Sequence, residues 1–160
     1  MASAFITHSV AETERAGGLL APLLRAGDVV ALAGDLGAGK THLVQGVALG
    51  LGMTDPVTSP TFNLLLVHPG TLPLYHFDLY RLEGACDLED IGFFETLEAD
   101  GVSFVEWGDR FPGVLPPDHI LVTIERGPED ERRIAVESSG IRGRDLAHQW
   151  LGVLGVGGRP

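Results

Sequence analysis

The sequence predicts an α/β fold: a mixed, mostly parallel sheet flanked by helices and extended by β-hairpins. Three observations lead there. Val29–Ala33 is a short run made only of apolar residues, the pattern of a strand buried on both faces of a parallel sheet. A glycine-rich loop and a segment of helical spacing follow it directly. Further along, two pairs of strand-like runs are each joined by a short turn, HPGT at 68–71 and GPED at 127–130, as hairpins are.

In chain order, Ser9 and Glu12 have the spacing of a capping box, so a helix starts there and runs to about Arg25, stopping at Gly27. Val29–Ala33 is the buried strand, and Lys40–Leu49 the helix after the loop, with Leu43, Val44, Val47 and Leu51 near helical spacing. Thr61–Val67 and Leu72–Tyr80 form the first hairpin. In its second strand Tyr75, Phe77 and Leu79 share one face and His76, Asp78 and Tyr80 the other. Asp87 caps a helix from Leu88 to about Glu98, and Val102–Glu106 is a second buried-type strand, ending in an acid. His119–Glu125 and Arg132–Glu137 make the second hairpin, and Arg144–Leu154 a closing helix. With no internal repeat, residues 1–160 read as one domain, of which about 155–160 is a frayed glycine-rich tail.

Bulk composition excludes several classes. The chain is 44% apolar and 21% charged, which is globular rather than disordered. Its formal charge of −11 repels a phosphate backbone, so any contact with nucleic acid is indirect, through a partner. Cys86 is the only cysteine, which rules out an intrachain disulfide and a cysteine-built metal site. No apolar stretch reaches the roughly 20 residues of a membrane span, and the first residues lack the pattern of a secretory signal. The expected location is cytoplasmic, with no membrane partner.

Gly34-Asp35-Leu36-Gly37-Ala38-Gly39-Lys40-Thr41 matches G-x-x-x-x-G-K-[ST] at every fixed position. Glycines let successive backbone N–H groups turn inward on an anion, and the following helix adds its positive N-terminal end. In such a loop Lys40 reaches the β- and γ-phosphates and the Thr41 hydroxyl binds Mg²⁺. A glycine-rich turn matching by chance is the competing reading. The strand before and the helix after count against it, and so does Lys40 itself. It is the only lysine in the chain, beside ten arginines, and a compact ammonium rather than a planar fork fits inside a phosphate loop. The architecture expected is therefore P-loop NTPase-like, with ATP and Mg²⁺ as cofactors.

A phosphate-loop site also needs a carboxylate at the end of a neighbouring strand. Asp78 in YHFDLY and Glu106 in SFVEWGD both qualify. Trp107 is either an aromatic wall beside the nucleotide or packing. His76 reads as a hydrogen-bonded strand histidine, and Arg81 as a partner of nearby Glu83. VTSPTF at 57–62 presents Thr58, Ser59 and Thr61 close together, either as a hydroxyl-rich lead into a strand or as a segment that senses the γ-phosphate.

Taken in order, GDLGAGKT, SPTF, YHFDLYRL, LEDIGFFE and VEW resemble the TsaE family, also called YjeE, from about residue 9 to residue 111. The resemblance implies a small bacterial ATPase that acts with TsaB and TsaD to form threonylcarbamoyladenosine at position 37 of tRNA. It implies an Mg²⁺ shell involving Thr41, Asp78 and Glu106, with Thr61 in the switch-like loop and Trp107 near the nucleotide. Lys40, Asp78 and Glu106 are then the catalytic candidates. The family often continues Glu-Trp with a proline, where this chain has Gly108. A small-molecule kinase with the same loop is the alternative; the best candidates for its arginine lid are Arg132 and Arg133 beside the GPED turn. A guanine-specific N-K-x-D loop is impossible, because Lys40 is the sole lysine. No clear arginine finger is present in the sequence, so slow, partner-dependent hydrolysis is expected.

Overall fold

Val29–Ala33 (β2) lies at the centre of a seven-stranded sheet, and all five of its residues are buried. The computed structural model describes residues 3–35, 37–53, 65–79, 85–107 and 112–156. The other strands are Ser3–Thr7 (β1), Leu65–His68 (β3), Leu74–Asp78 (β4), Val102–Glu106 (β5), His119–Arg126 (β6) and Arg132–Ser139 (β7). Their order across the sheet is β1-β7-β6-β2-β5-β4-β3. β2 pairs in parallel with β5 and β6, and β5 in parallel with β4. β3 and β7 run against their neighbours, and β1 runs against β7. Five strands (β1, β2, β4, β5, β6) thus share one direction, which is the mixed, mostly parallel sheet expected.

The helices are Val10–Leu20 (α1), Lys40–Gly50 (α2), Ala85–Asp90 (α3), Phe93–Leu97 (α4) and Gly140–Val153 (α5). One face of the sheet, carrying Val30, Leu32, Leu74, Phe104, Ile120 and Val122, packs under α1, α2 and α5. Val29, Phe77 and Val105 belong to the opposite face and pack with Leu88, Phe93 and Leu97 of α3 and α4. Alternation along β4 and β5 therefore fixes which residues can meet the glycine-rich loop: His76, Asp78 and Glu106 lie on the α2 side.

Four elements depart from the sequence reading. α1 ends at Leu20 and tightens into a 3-10 turn at Ala21–Leu23 instead of reaching Arg25. Pro22 explains this, because it lacks a donor and its ring clashes with the preceding turn. The single helix expected over 88–98 is two short ones, broken where Gly92 takes φ +71. The closing helix starts at Gly140, four residues early, because Asp118 accepts a hydrogen bond from the Arg142 amide and satisfies an orphan donor of its first turn. β1 was not expected at all. It forms by pairing with β7 and seats Phe5 edge-on against Trp150, 5.8 Å between ring centroids.

Ser9 caps α1 as expected, its Oγ accepting from the Glu12 amide at 3.1 Å, but the Glu12 carboxylate reaches one residue further back than a capping box requires and accepts from the His8 amide at 2.9 Å. At the opposite end of the sheet from the loop, Arg142 forks onto Asp28 at 2.9 and 2.7 Å and ties α5 to the start of β2. That hydrogen bond holds the guanidinium above its ordinary pKa.

α1 and α2 touch through their backbones. A Cβ on Gly46 would overlap the Glu14 carbonyl, and one on Gly17 the Leu43 carbonyl. Neither obstacle is a flexible side chain, so neither can move aside cheaply. Gly18, one residue on from Gly17, would meet only ordinary contact at 3.6 Å. Gly46→Ala is therefore expected to destabilise by about 2 kcal/mol or more through overpacking. Gly18→Ala should instead stabilise by up to about 1 kcal/mol through helix propensity. Urea unfolding of the two variants checks the opposite signs.

Candidate nucleotide site

Residues 34–41 join the end of β2 to the start of α2. The tight path depends on glycine: Gly37 has φ +78 and Gly39 φ +114, both in the left-handed region. Within the loop the Ala38 amide donates to the Asp35 carbonyl at 3.0 Å, and the Leu43 amide makes the first helical bond to Gly39 at 3.1 Å. Asp35 and Gly37 are exposed, whereas Ala38, Gly39 and Lys40 are buried. Leu36 lies outside the described residues.

Lys40 opens α2 and is only 4% exposed. Its Nζ donates to the Gly34 carbonyl at 2.6 Å and sits 3.5 Å from the centroid of the Trp107 ring. A cation over an indole face at that distance is attracted by the ring quadrupole. Trp107 is held in turn by its amide, which donates to the Leu32 carbonyl at 2.8 Å, and takes φ +65, strained for a non-glycine residue. The indole thus stands beside the loop, roofing the lysine. Gly108 and Asp109, which follow, lie outside the described residues.

Asp78 and Glu106 are direct neighbours on β4 and β5. Their surroundings differ. Asp78 is half-buried, while Glu106 is 3% exposed and its Oε2 lies 2.6 Å from His76 Nε2. His76 itself is fully buried, and its Nδ1 has no hydrogen-bond partner among the described residues. Thr41, on the first turn of α2, is half-buried. Among the described residues no group of three or more His, Cys, Asp or Glu could cage a metal ion. Mg²⁺ usually keeps several waters and is held by one or two carboxylates plus phosphate oxygens. The oxygen donors of Thr41, Asp78 and Glu106 fit such an ion. Thr61, the whole 57–62 segment and Arg81 lie outside the described residues.

A cleft of about 500 Å³ opens beside the loop, lined by Gly34, Asp35, Ala38, Trp107, Thr123 and Arg126 among others. On the other flank Arg132 donates from Nε to the Ala38 carbonyl at 2.8 Å. The two arginines once weighed as a lid are not together: Arg133 pairs with Glu125 at 3.0 Å on the exposed side of the hairpin. The Arg132 contact spans 94 residues, so no local pattern in the sequence announces it.

Comparison with known proteins gives a consistent result. The family model for the threonylcarbamoyl adenosine biosynthesis protein TsaE matches residues 7–134. The chain belongs to the TsaE family. A relative from Treponema pallidum bearing the name tRNA threonylcarbamoyladenosine biosynthesis protein TsaE is 43% identical over 131 residues, covering 82% of this chain and 97% of that one. One of the same name from Bacillus subtilis is 42% identical over 132 residues, covering 82% of each. The crystal structure of Bacillus subtilis YdiB superimposes with a TM-score of 0.80 at 34% identity, over 96% of both chains. The TsaE match extends past residue 111, where the resemblance fades by eye, and takes in β6 and the first residues of β7.

The buried pair at the centre of the site sets a test. Removing His76 strips Glu106 of its hydrogen-bond partner in a place that water barely reaches. His76→Leu is expected to cost about 3 kcal/mol or more, the usual penalty for breaking a buried pair. Ser103→Ala serves as contrast, since its buried hydroxyl has no partner among the described residues. That change should be neutral or slightly stabilising. Denaturant midpoints of both variants decide it.

Proposed function

We propose that this TsaE-family chain binds Mg-ATP on residues 34–41, hydrolyses it slowly, and acts with TsaB and TsaD in forming threonylcarbamoyladenosine on tRNA. The single observation that carries the nucleotide reading is the buried Lys40, kept at the head of α2 inside a loop with left-handed glycines. Burying an ammonium is unfavourable unless an anion or dipole meets it. A phosphate tail placed there would gain Lys40, the loop amides and the helix end together. The names of the relatives support the tRNA part of the reading.

Each residue then has a role. The amides of 34–41 orient the phosphates, and Lys40 neutralises charge building on the β- and γ-phosphoryl oxygens. Thr41, Asp78 and Glu106 would hold Mg²⁺, which when bound spreads charge off the phosphate oxygens. His76 fixes the Glu106 carboxylate. Trp107 excludes water from the lysine, and the cleft lined by Thr123 and Arg126 receives the nucleoside. Arg132 faces a loop carbonyl and not a catalytic position. Turnover by the isolated chain is therefore slow, and the partner complex supplies what completes the site. An overall charge of −11 leaves tRNA binding to that partner as well. The kinase alternative loses ground, because Arg132 and Arg133 do not form a lid.

Three measurements test the reading. Lys40→Ala should abolish detectable ATP binding by calorimetry with the fold intact, and unchanged binding would refute the phosphate site. Mixing the chain with TsaB–TsaD, ATP, threonylcarbamoyl-adenylate and tRNA should give repeated rounds of tRNA modification that stop when the chain is omitted. A kinase would leave that assay unchanged. Asp78→Ala should shift the Mg²⁺ dependence of hydrolysis to higher concentration; a superimposable titration would make Asp78 structural.

A further inference from the structure

We propose that Arg132 is a positioning residue for the nucleotide: it clamps the outside of the phosphate loop and thereby aims the Gly39 amide at the phosphates. The inference rests on the nucleotide reading above and adds to it a residue from the far end of the chain. Arg132 opens β7, opposite Arg126 of β6 in the hairpin register. Its Nε donates to Ala38 O at 2.8 Å, and its Nη1 to Glu131 O at 2.9 Å and Glu129 O at 3.2 Å. All three acceptors are main-chain carbonyls. In a chain with 22 acidic residues, Arg132 makes no ion pair with any carboxylate among the described residues.

Peptide geometry turns the Ala38 contact into a constraint on the site. The Ala38 carbonyl and the Gly39 N–H belong to one planar trans peptide and point in opposite directions. Holding the carbonyl toward Arg132 therefore sends the Gly39 N–H the other way. Gly39, with φ +114 and no side chain, resists rotation of that plane less than any other residue would. An external donor supplies the rigidity that glycine gives up. The two sides of the loop are also distinct. Arg132 borders a small recess with Gly39, His42, Thr13 and Asp130, whereas the large cleft is lined by Gly34, Asp35, Ala38 and Trp107 among others. Arg132 thus acts through the loop and does not touch the ligand.

The test is calorimetry with Mg-ADP and with a methylene-bridged ATP analogue, on the parent, Arg132→Met, Arg132→Lys, Arg133→Met and Lys40→Ala. Loop amides cradle the α- and β-phosphates, so a clamp is felt equally by both ligands. Arg132→Met should weaken both by a similar factor, about tenfold or more, as expected for loss of a charge-assisted hydrogen bond. Arg132→Lys, one donor without the fork, should fall between, and Arg133→Met should match the parent. With ATP as substrate, KM should rise while kcat at saturation stays within about threefold, as for lost uniform binding. A loss confined to the ATP analogue would mean direct contact with the γ-phosphate and would overturn the clamp. A lower melting temperature with unchanged affinities would reduce Arg132 to a staple of the hairpin turn, which also overturns it. If Arg132→Met does not fold, Arg132→Lys decides by the same criterion, affinity for both ligands unchanged being the refutation. If the parent binds neither ligand, or Lys40→Ala binds as the parent does, the nucleotide reading fails and takes the clamp with it. If Lys40→Ala loses binding and Arg132→Met does not, only the clamp fails.

Discussion

The structure depends on one buried ammonium and the means of keeping it in place. Lys40 is nearly inaccessible, yet it heads a helix, whose N-terminal dipole is a poor environment for a cation. Its compensation is local: the Gly34 carbonyl at 2.6 Å and the face of Trp107 at 3.5 Å. Both partners are fixed by the central strand. Gly34 follows the last residue of β2, and the Trp107 amide bonds to Leu32 of the same strand. The lysine, the loop and the indole are therefore carried by one rigid element with a fully apolar sequence. A strand that buries every side chain offers no freedom to shift register, so the loop it launches inherits its position.

The same strand order brings the acids alongside. β5 is the direct neighbour of β2, and β4 of β5, so the residues ending those strands reach the loop in sequence, Glu106 before Asp78. Placing a carboxylate there carries a desolvation cost, and His76 offsets it by occupying one oxygen. This gives His76 a reason to be buried on the α2 side of β4, between Leu74 and Asp78. It also separates the two acids by role: one held in a fixed orientation within the core, the other at the half-exposed edge of the site.

The parts legible in the sequence are those with a local cause. Val29–Ala33 and Val102–Glu106 were readable to the residue because a strand covered on both faces is mostly apolar, with Ser103 and Glu106 the exceptions in β5. The glycine loop was readable because its backbone conformation restricts the residue types. The end of α1 is set by Pro22, although apolar residues continue beyond it. β1 was invisible for a different reason. SAFIT places Phe5 and Ile6 side by side, breaking the alternation of a strand, and the segment is ordered only by a partner about 130 residues away. The early start of α5 likewise depends on Asp118, and the loop's outer contact on Arg132. In the candidate site the residue types of the motif could be read, but not what supports them. The His76–Glu106 pairing joins two strands whose adjacency no spacing rule supplies.

Charge raises a further question: how a chain of −11 could attract a polyanion at all. The answer lies in distance. At physiological ionic strength charges more than about 8 Å apart at the surface are largely screened, so net charge governs encounters with large polyanions more than the energy inside a small cleft. Basic residues are scarce here, 11 against 22 acids, yet Lys40 lies in the loop, Arg126 on its cleft side and Arg132 on its outer side. The hairpin that supplies both arginines is the region where the motif content of the sequence is weakest. Three of the eleven basic residues, Lys40, Arg126 and Arg132, thus gather at one loop, where a compact anion would feel them more strongly than an extended backbone would.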